Sequence, residues 1–163
     1  LIAMAAAARA IAGGTLEEAE RAALDARGRT RTFACLETLE YAVRGGRVPA
    51  WARRIADLLH VMPLLSVYPD GRVSIGGVLF GRRNMTEKFA RFVRRRIARD
   101  RRWTLAVGHA NAPEQAAKLT RLLREGLDNI DEDFVVPIGT ALGVHGGPGC
   151  LVVSIQDTGK PAA

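Results

Sequence analysis

The stretch VMPLLSVYPDGRVSIGGVLF, Val61 to Phe80, decides how the rest of the chain is read. Two runs rich in branched aliphatic residues flank Pro69-Asp70-Gly71. Proline presets φ for a turn, and glycine accepts the reversed φ that side chains disfavour. The pattern predicts an antiparallel hairpin, with Pro63 placing the first run at a sheet edge or at its own start.

Helix and strand signals alternate on either side of this hairpin. Upstream, Leu1–Ile11 reads as an alanine-rich helix stopped by Gly13 and Gly14. TLEE, Thr15 to Glu18, is a capping box that opens a second helix to about Arg27. RTRTFACLE (Arg29–Glu37) alternates as a strand, LEYAVRGG forms a short helix closed by Gly45 and Gly46, and WARRIADLLH is helical after Pro49. Downstream come a basic helix, a buried strand WTLAVGHA (Trp103–Ala110), and a helix from Pro113 to about Gly126. A strand DFVVPIG, a glycine-rich loop and a last strand CLVVSI complete the pattern, and the tail after Asp157 is expected to be loose. Alternation with one hairpin predicts an α/β fold, a mixed β-sheet covered by helices. The 163 residues suit one domain, assigned to 1–163.

The two cysteines, Cys35 and Cys150, lie far apart without disulfide or zinc spacing, so free packed thiols in a reducing, cytoplasmic setting are expected. LIAMAAAARAIAGG (1–14) carries Arg9, is too short to span a bilayer and lacks the layout of a signal peptide. Starting at Leu1 inside a helical pattern, the chain is expected to be a domain cut from a longer one. The net charge is +7, and Arg91 to Arg102 holds seven arginines against one aspartate. Such a run suggests a nucleic-acid or anionic-membrane surface. The plainer account is a solvated helix face, because Phe89, Phe92, Val93 and Ile97 form one apolar stripe at helical spacing. Both accounts stay open here.

GVHGGPG, Gly143 to Gly149, places four glycines and a proline around His145. Glycine is kept where φ must be positive or where something approaches the backbone. The segment is either a tight structural turn or a place where amides and an imidazole meet an anion. His60 and His109, at element ends, read as packed or capping histidines. In GGR (Gly45–Arg47) and GRR (Gly81–Arg83), an arginine beside glycine can grip a carboxylate or phosphate. No nucleophile-base spacing, phosphate loop, dinucleotide fingerprint or helical metal pair is present.

Taken in order, LETLEYAVRGGRV, LLHVMPLLSVYPDGRVSIGGVLFGRRNM, LAVGHANAPEQAAKL and IGTALGVHGGPGCLVVSI resemble the C-terminal half of the DegV family. These are lipid-binding proteins that serve as fatty-acid carrier subunits of bacterial fatty acid kinase. The resemblance spans roughly Leu1 to Ile155. The chain departs from it at Met62, where the family has lysine, at Phe80, where it has the first arginine of an RxR phrase, and at Ala42.

The resemblance implies a single DegV-like C-terminal lipid-binding domain whose N-terminal companion lies outside this chain. It implies one long-chain fatty acid held between the two domains, with its carboxylate phosphorylated by a Dak-type kinase subunit. His145, with Gly146 and Gly147, would bind the carboxylate. Arg47 and Arg82 would lie near the head group, aiding the developing acyl phosphate or the docking of the kinase subunit. A serine and a threonine that complete the carboxylate contacts belong to the N-terminal domain. The chain is then a binding subunit and not an enzyme by itself, with no cofactor beyond the bound fatty acid. Transient membrane-surface contact fits such a role, and no nucleic acid is expected. About fifteen methylenes at roughly 0.8 kcal/mol each supply on the order of 10 kcal/mol of attraction, opposed by ordering the tail and desolvating the head. Rival accounts are the basic nucleic-acid or membrane binder, a hydrolase with His145 as general base, and a folded half with no activity alone.

Overall fold

In the computed structural model, which describes residues 1–161, six strands occur: β1 (Thr30–Cys35), β2 (Val61–Val67), β3 (Val73–Phe80), β4 (Arg101–His109), β5 (Ile130–Pro137) and β6 (Leu151–Pro161). The helices among these residues are α1 (Ile2–Ile11), α2 (Leu16–Gly28), α3 (Glu40–Arg44), α4 (Ala50–Leu58), α5 (Met85–Arg94), α6 (Pro113–Glu125) and α7 (Thr140–Gly146). The strands form one mixed sheet in the order β3-β2-β1-β6-β4-β5. Only the β4–β5 pair is parallel, joined through α6; the others are antiparallel. This is the α/β architecture the alternation predicts.

The Pro69-Asp70-Gly71 turn reverses the chain as expected. Gly71 has φ +87°, and the Asp70 side chain accepts from the Arg72 amide at 2.9 Å. Pro63 falls in an interior strand, yet β1 ends opposite Leu64. Pro63 therefore lies where β2 has β3 alone as a neighbour, and its missing N–H takes nothing from the β1 ladder.

Side chains alternate across a strand, so each face has its own chemistry. On one face Phe33, Leu64, Leu105, Val107, Leu151, Val153 and Ile155 pack with Phe89 and Val93 of α5 and with Ala116, Leu119 and Leu123 of α6. The other face carries small or half-buried side chains such as Thr32, Ala34, Ala106 and Ser154, and Thr32 hydrogen-bonds Ser154 across β1 and β6 at 2.8 Å. A second cluster, Leu36, Leu39, Ala42, Ala56 and Cys150, includes Leu65 and Val152 at its margin, where α3, α4 and α7 gather. The capping box of α2 forms as read, with Thr15 and Glu18 exchanging bonds of 2.9 and 3.3 Å. Helix α1 packs on α2 and buries no residue of its own.

Three expectations need correction. Residues after Asp157 are not loose: β6 continues through Pro161, with Arg101 opposite Pro161 and the Thr158 hydroxyl bonded to the Arg102 carbonyl at 3.2 Å. That part of the expectation concerning residues 162–163 lies outside the described residues. The basic helix ends at Arg94, and Ile97 is buried from the turn that follows. The glycine-rich segment is not a loop throughout, because residues 140–146 have no proline and close a short helix; the chain leaves it at Gly147, where φ is +72°.

Candidate functional site

The site is built where the β1–α3 connection meets α7. Leu36 and Leu39 are buried and anchor the connection, and the Thr38 hydroxyl accepts the Glu40 amide at 3.1 Å to start α3. Helix α3 ends on Gly45, and Gly46 takes φ +71° to turn the chain away. Opposite it, α7 delivers His145 in its last turn. Gly149, with φ +80°, donates its amide to the Ala110 carbonyl at 2.8 Å, and Ala110 donates back to Cys150 at 3.0 Å. The glycine segment is thereby tied to the end of β4.

The two phrases LEYAVRGG and GVHGGPG are in direct contact. The His145 ring occupies the space that a side chain at Gly45 would fill, the Tyr41 ring fills the corresponding space at Gly147, and the Glu37 carboxylate does so at Gly149. Gly146 backs onto Cys150. His145 is half-buried, and its Nδ1 is buried with no hydrogen-bond partner in the protein. A buried polar atom without a partner is uncommon and costs free energy unless a ligand or water completes it. Arg47 is exposed, and its guanidinium donates to the Gly45 carbonyl at 3.0 Å, so Arg47 and His145 sit on two sides of one glycine.

Arg82 lies elsewhere. It lines a cleft of about 580 Å³ with Glu37, Glu40, Arg53, Asp57 and His60 among its walls; His145, Gly146, Gly147 and Arg47 do not line it. Glu37 joins the two places, one side on the cleft and the other against Gly149. Arg53 is paired with Glu40 at 3.4 Å and Asp57 at 3.5 Å. Arg82 is exposed and has no carboxylate partner among the described residues. Sequence reasoning passed over Glu37 and Tyr41, and it read Gly45 only as a helix stop beside Arg47. Their only sequence signal is that they share the phrase that holds the glycine pair.

The surface around this end is apolar. Trp51, Ile55 and Leu58 of α4 recur on one exposed face, with Leu59 exposed just past its end; Leu142 and Val144 of α7 are exposed, and so are Val78 and Phe80 of β3. Burial pushes the Cys35 thiol up to about 12, with Cys150 and Glu37 adding to the effect, and pushes Cys150 up to about 11. Both are packed, protonated thiols, with no disulfide between them.

Three of the seven arginines in the run Arg91–Arg102 are engaged in local structure. Arg96 stacks over the Phe92 ring at 3.5 Å and donates to the Phe92 and Gly76 carbonyls, Arg101 pairs with Asp157, and Arg102 pairs with Asp131. Asn129 ties the turn together by donating to the carbonyls of Ala98 and Arg101. No helix among the described residues is long and apolar enough to cross a membrane, and no group of three or more metal-ligating side chains occurs among them.

These phrases and this sheet define a known class. The model of the DegV family, COG1307, matches residues 1–158, and the chain belongs to that family. A DegV domain-containing protein of Streptomyces coelicolor is 35% identical over 158 residues, covering 94% of this chain and 54% of its own length. The crystal structure of a DegV family protein from Corynebacterium glutamicum superposes with a TM-score of 0.81 at 28% identity, over 99% of this chain and 60% of that one. A fatty acid binding DegV family protein from Streptococcus agalactiae shares the fold, with a TM-score of 0.75 at 22% identity over 95% of this chain and 54% of that one. The chain thus spans about half the length of the curated relatives it matches.

Proposed function

We propose that this chain is the half of a fatty-acid carrier that meets the acid's head group. It binds a long-chain fatty acid and presents the carboxylate to a kinase subunit for conversion to an acyl phosphate. The observation that carries this reading is the buried, unpartnered Nδ1 of His145 in a setting of glycine backbone. A protonated Nδ1 is a donor, and a carboxylate taken from water needs donors to remain ionised. The open apolar surface of α4 and α7 gives an acyl chain somewhere to lie. The Streptococcus agalactiae neighbour is itself a fatty acid binding protein.

In this reading His145, with the amides of Gly146 and Gly147, takes the carboxylate, Arg47 meets the charge that develops when the phosphoryl group arrives, and Arg82, on the separate cleft that Glu37 links to this site, serves the docking of the kinase subunit. The attacking carboxylate oxygen forms the new P–O bond, and the bond to the leaving nucleotide breaks on the partner. This chain supplies position and charge, and phosphoryl donor and metal come with the kinase.

The test is lipid extraction and mass spectrometry of the chain purified together with the sequence flanking it in its gene, followed by oleate titration. A co-purified C16–C18 acid, and an oleate affinity about tenfold or more weaker in His145→Ala, are expected. Absence of lipid, with binding to duplex DNA that falls steeply as salt rises, would instead favour the arginine surface as the working part.

A further inference from the structure

Gly45 has no backbone reason to be glycine. Its φ of −80° and ψ of 2° are open to any residue, and its amide closes α3 on the Tyr41 carbonyl at 2.9 Å whatever its side chain. The left-handed position belongs to Gly46, one residue on. Gly45 is distinguished instead by space, since a Cβ there would fall on Nδ1 and Cε1 of the His145 ring. Gly147 offers the reverse arrangement, receiving the Tyr41 ring from α3. The two helices interlock by exchanging rings into glycine slots.

We propose that Gly45 is the positioning residue for the His145 imidazole, which makes the glycine pair of LEYAVRGG part of the head-group site; this rests on the reading that His145 holds the carboxylate. The ring is the free end of a side chain with two torsions, so a methyl group at 45 can be accommodated by swinging the ring aside. The fold tolerates that movement, but Nδ1, the atom left without a partner, is the atom displaced. Gly45 acts on the ligand only through His145. Gly143 lies on the same short helix with open space at its Cβ and an ordinary φ, and serves as the neutral comparison.

The experiment compares Gly45→Ala, His145→Ala, their double variant and Gly143→Ala, each carried in the chain with its flanking sequence. Imidazole nitrogen NMR reports the ring, thermal unfolding reports the fold, and oleate titration reports binding. Gly45→Ala is expected to shift the His145 ring resonances, to unfold within a few degrees of the parent, and to weaken oleate about tenfold. In the His145→Ala background it should change oleate affinity no further, the mark of two residues acting as one. Gly143→Ala should leave the ring resonances in place.

Unmoved His145 resonances in Gly45→Ala, or losses that add in the double variant, would overturn the assignment. If the resonances move while neither single variant alters oleate binding, the positioning stands and the carboxylate role of His145 falls. Should Gly45→Ala alone fail to fold, recovery in the double variant still locates the conflict at the ring, and failure of both places it elsewhere and ends the proposal.

Discussion

The two faces of this sheet use the same strands in opposite ways. Under α5 and α6, Leu105, Leu151, Val153, Ile155 and Leu119 are fully buried, and each is large, apolar and close-packed. Across the strands, near α3 and α7, the contacts run through glycines, an unpartnered imidazole, a half-buried tyrosine and a carboxylate. The first face spends its residues on removing hydrocarbon from water. The second keeps room and unsatisfied polarity, which stabilise nothing until a further group arrives. The difference teaches where tolerance to change should lie: volume is decisive on one face, atomic position on the other.

The contrast breaks first at its strongest point. Leu105→Ala removes a fully buried side chain from the α5–α6 face and should lower stability by about 2–5 kcal/mol, read as a fall in the denaturant midpoint. If oleate affinity in the folded fraction falls as much as it does in His145→Ala, the two faces are not separable.

At the other face the effect should appear in chemistry. Arg82→Ala and Arg47→Ala should slow acyl-phosphate formation with a cognate kinase subunit by roughly a hundredfold and tenfold respectively, while retained lipid, measured by extraction, stays nearly constant. Equal losses of lipid and phosphorylation would make both arginines part of the grip on the acid. Arg82 is given the larger effect because it already faces a cleft without a carboxylate partner, whereas Arg47 holds the Gly45 carbonyl.

The smallest effect concerns the cysteines at the boundary between the faces. An unfolded thiol ionises near 8.5, whereas burial holds Cys35 and Cys150 protonated to about 12 and 11. Above the unfolded value the unfolded chain sheds protons that the native state keeps, so stability is full below about pH 8.5 and declines through about pH 11–12. Thermal unfolding between about pH 8 and 11 should show this decline, and Cys35→Ala should flatten it. An unchanged alkaline slope would mean the thiols are wetter than their packing indicates.

Much of this was readable from the residues. The Pro-Asp-Gly turn, the capping box at Thr15 and the alternation of the core strands are local signals, and local signals survive folding. The glycines around His145 marked their segment because glycine is costly wherever it does nothing. The partners were not readable. Gly45 meets His145 across one hundred positions of sequence, and close approach leaves no trace in spacing. The β6 extension was missed for a related reason: TGKP has weak strand propensity, and its pairing with β4 decides its conformation. A short helix at residues 140–146 was hidden by its own glycines.

The position of β6 in the sheet has a consequence for how the protein is made. β3-β2-β1 form one ribbon and β4-β5 another, and among the described residues they are joined through β6, which the ribosome delivers after both. While synthesis is short of residues 151–161, each ribbon has an unfilled margin, and Cys35 and Leu105 lack their β6 neighbours Leu151 and Ile155. The sheet closes like a clasp on β6, so nascent chains stalled upstream of Leu151 should be clients for chaperones or proteases, and the emergence of β6 is the moment at which the sheet becomes continuous.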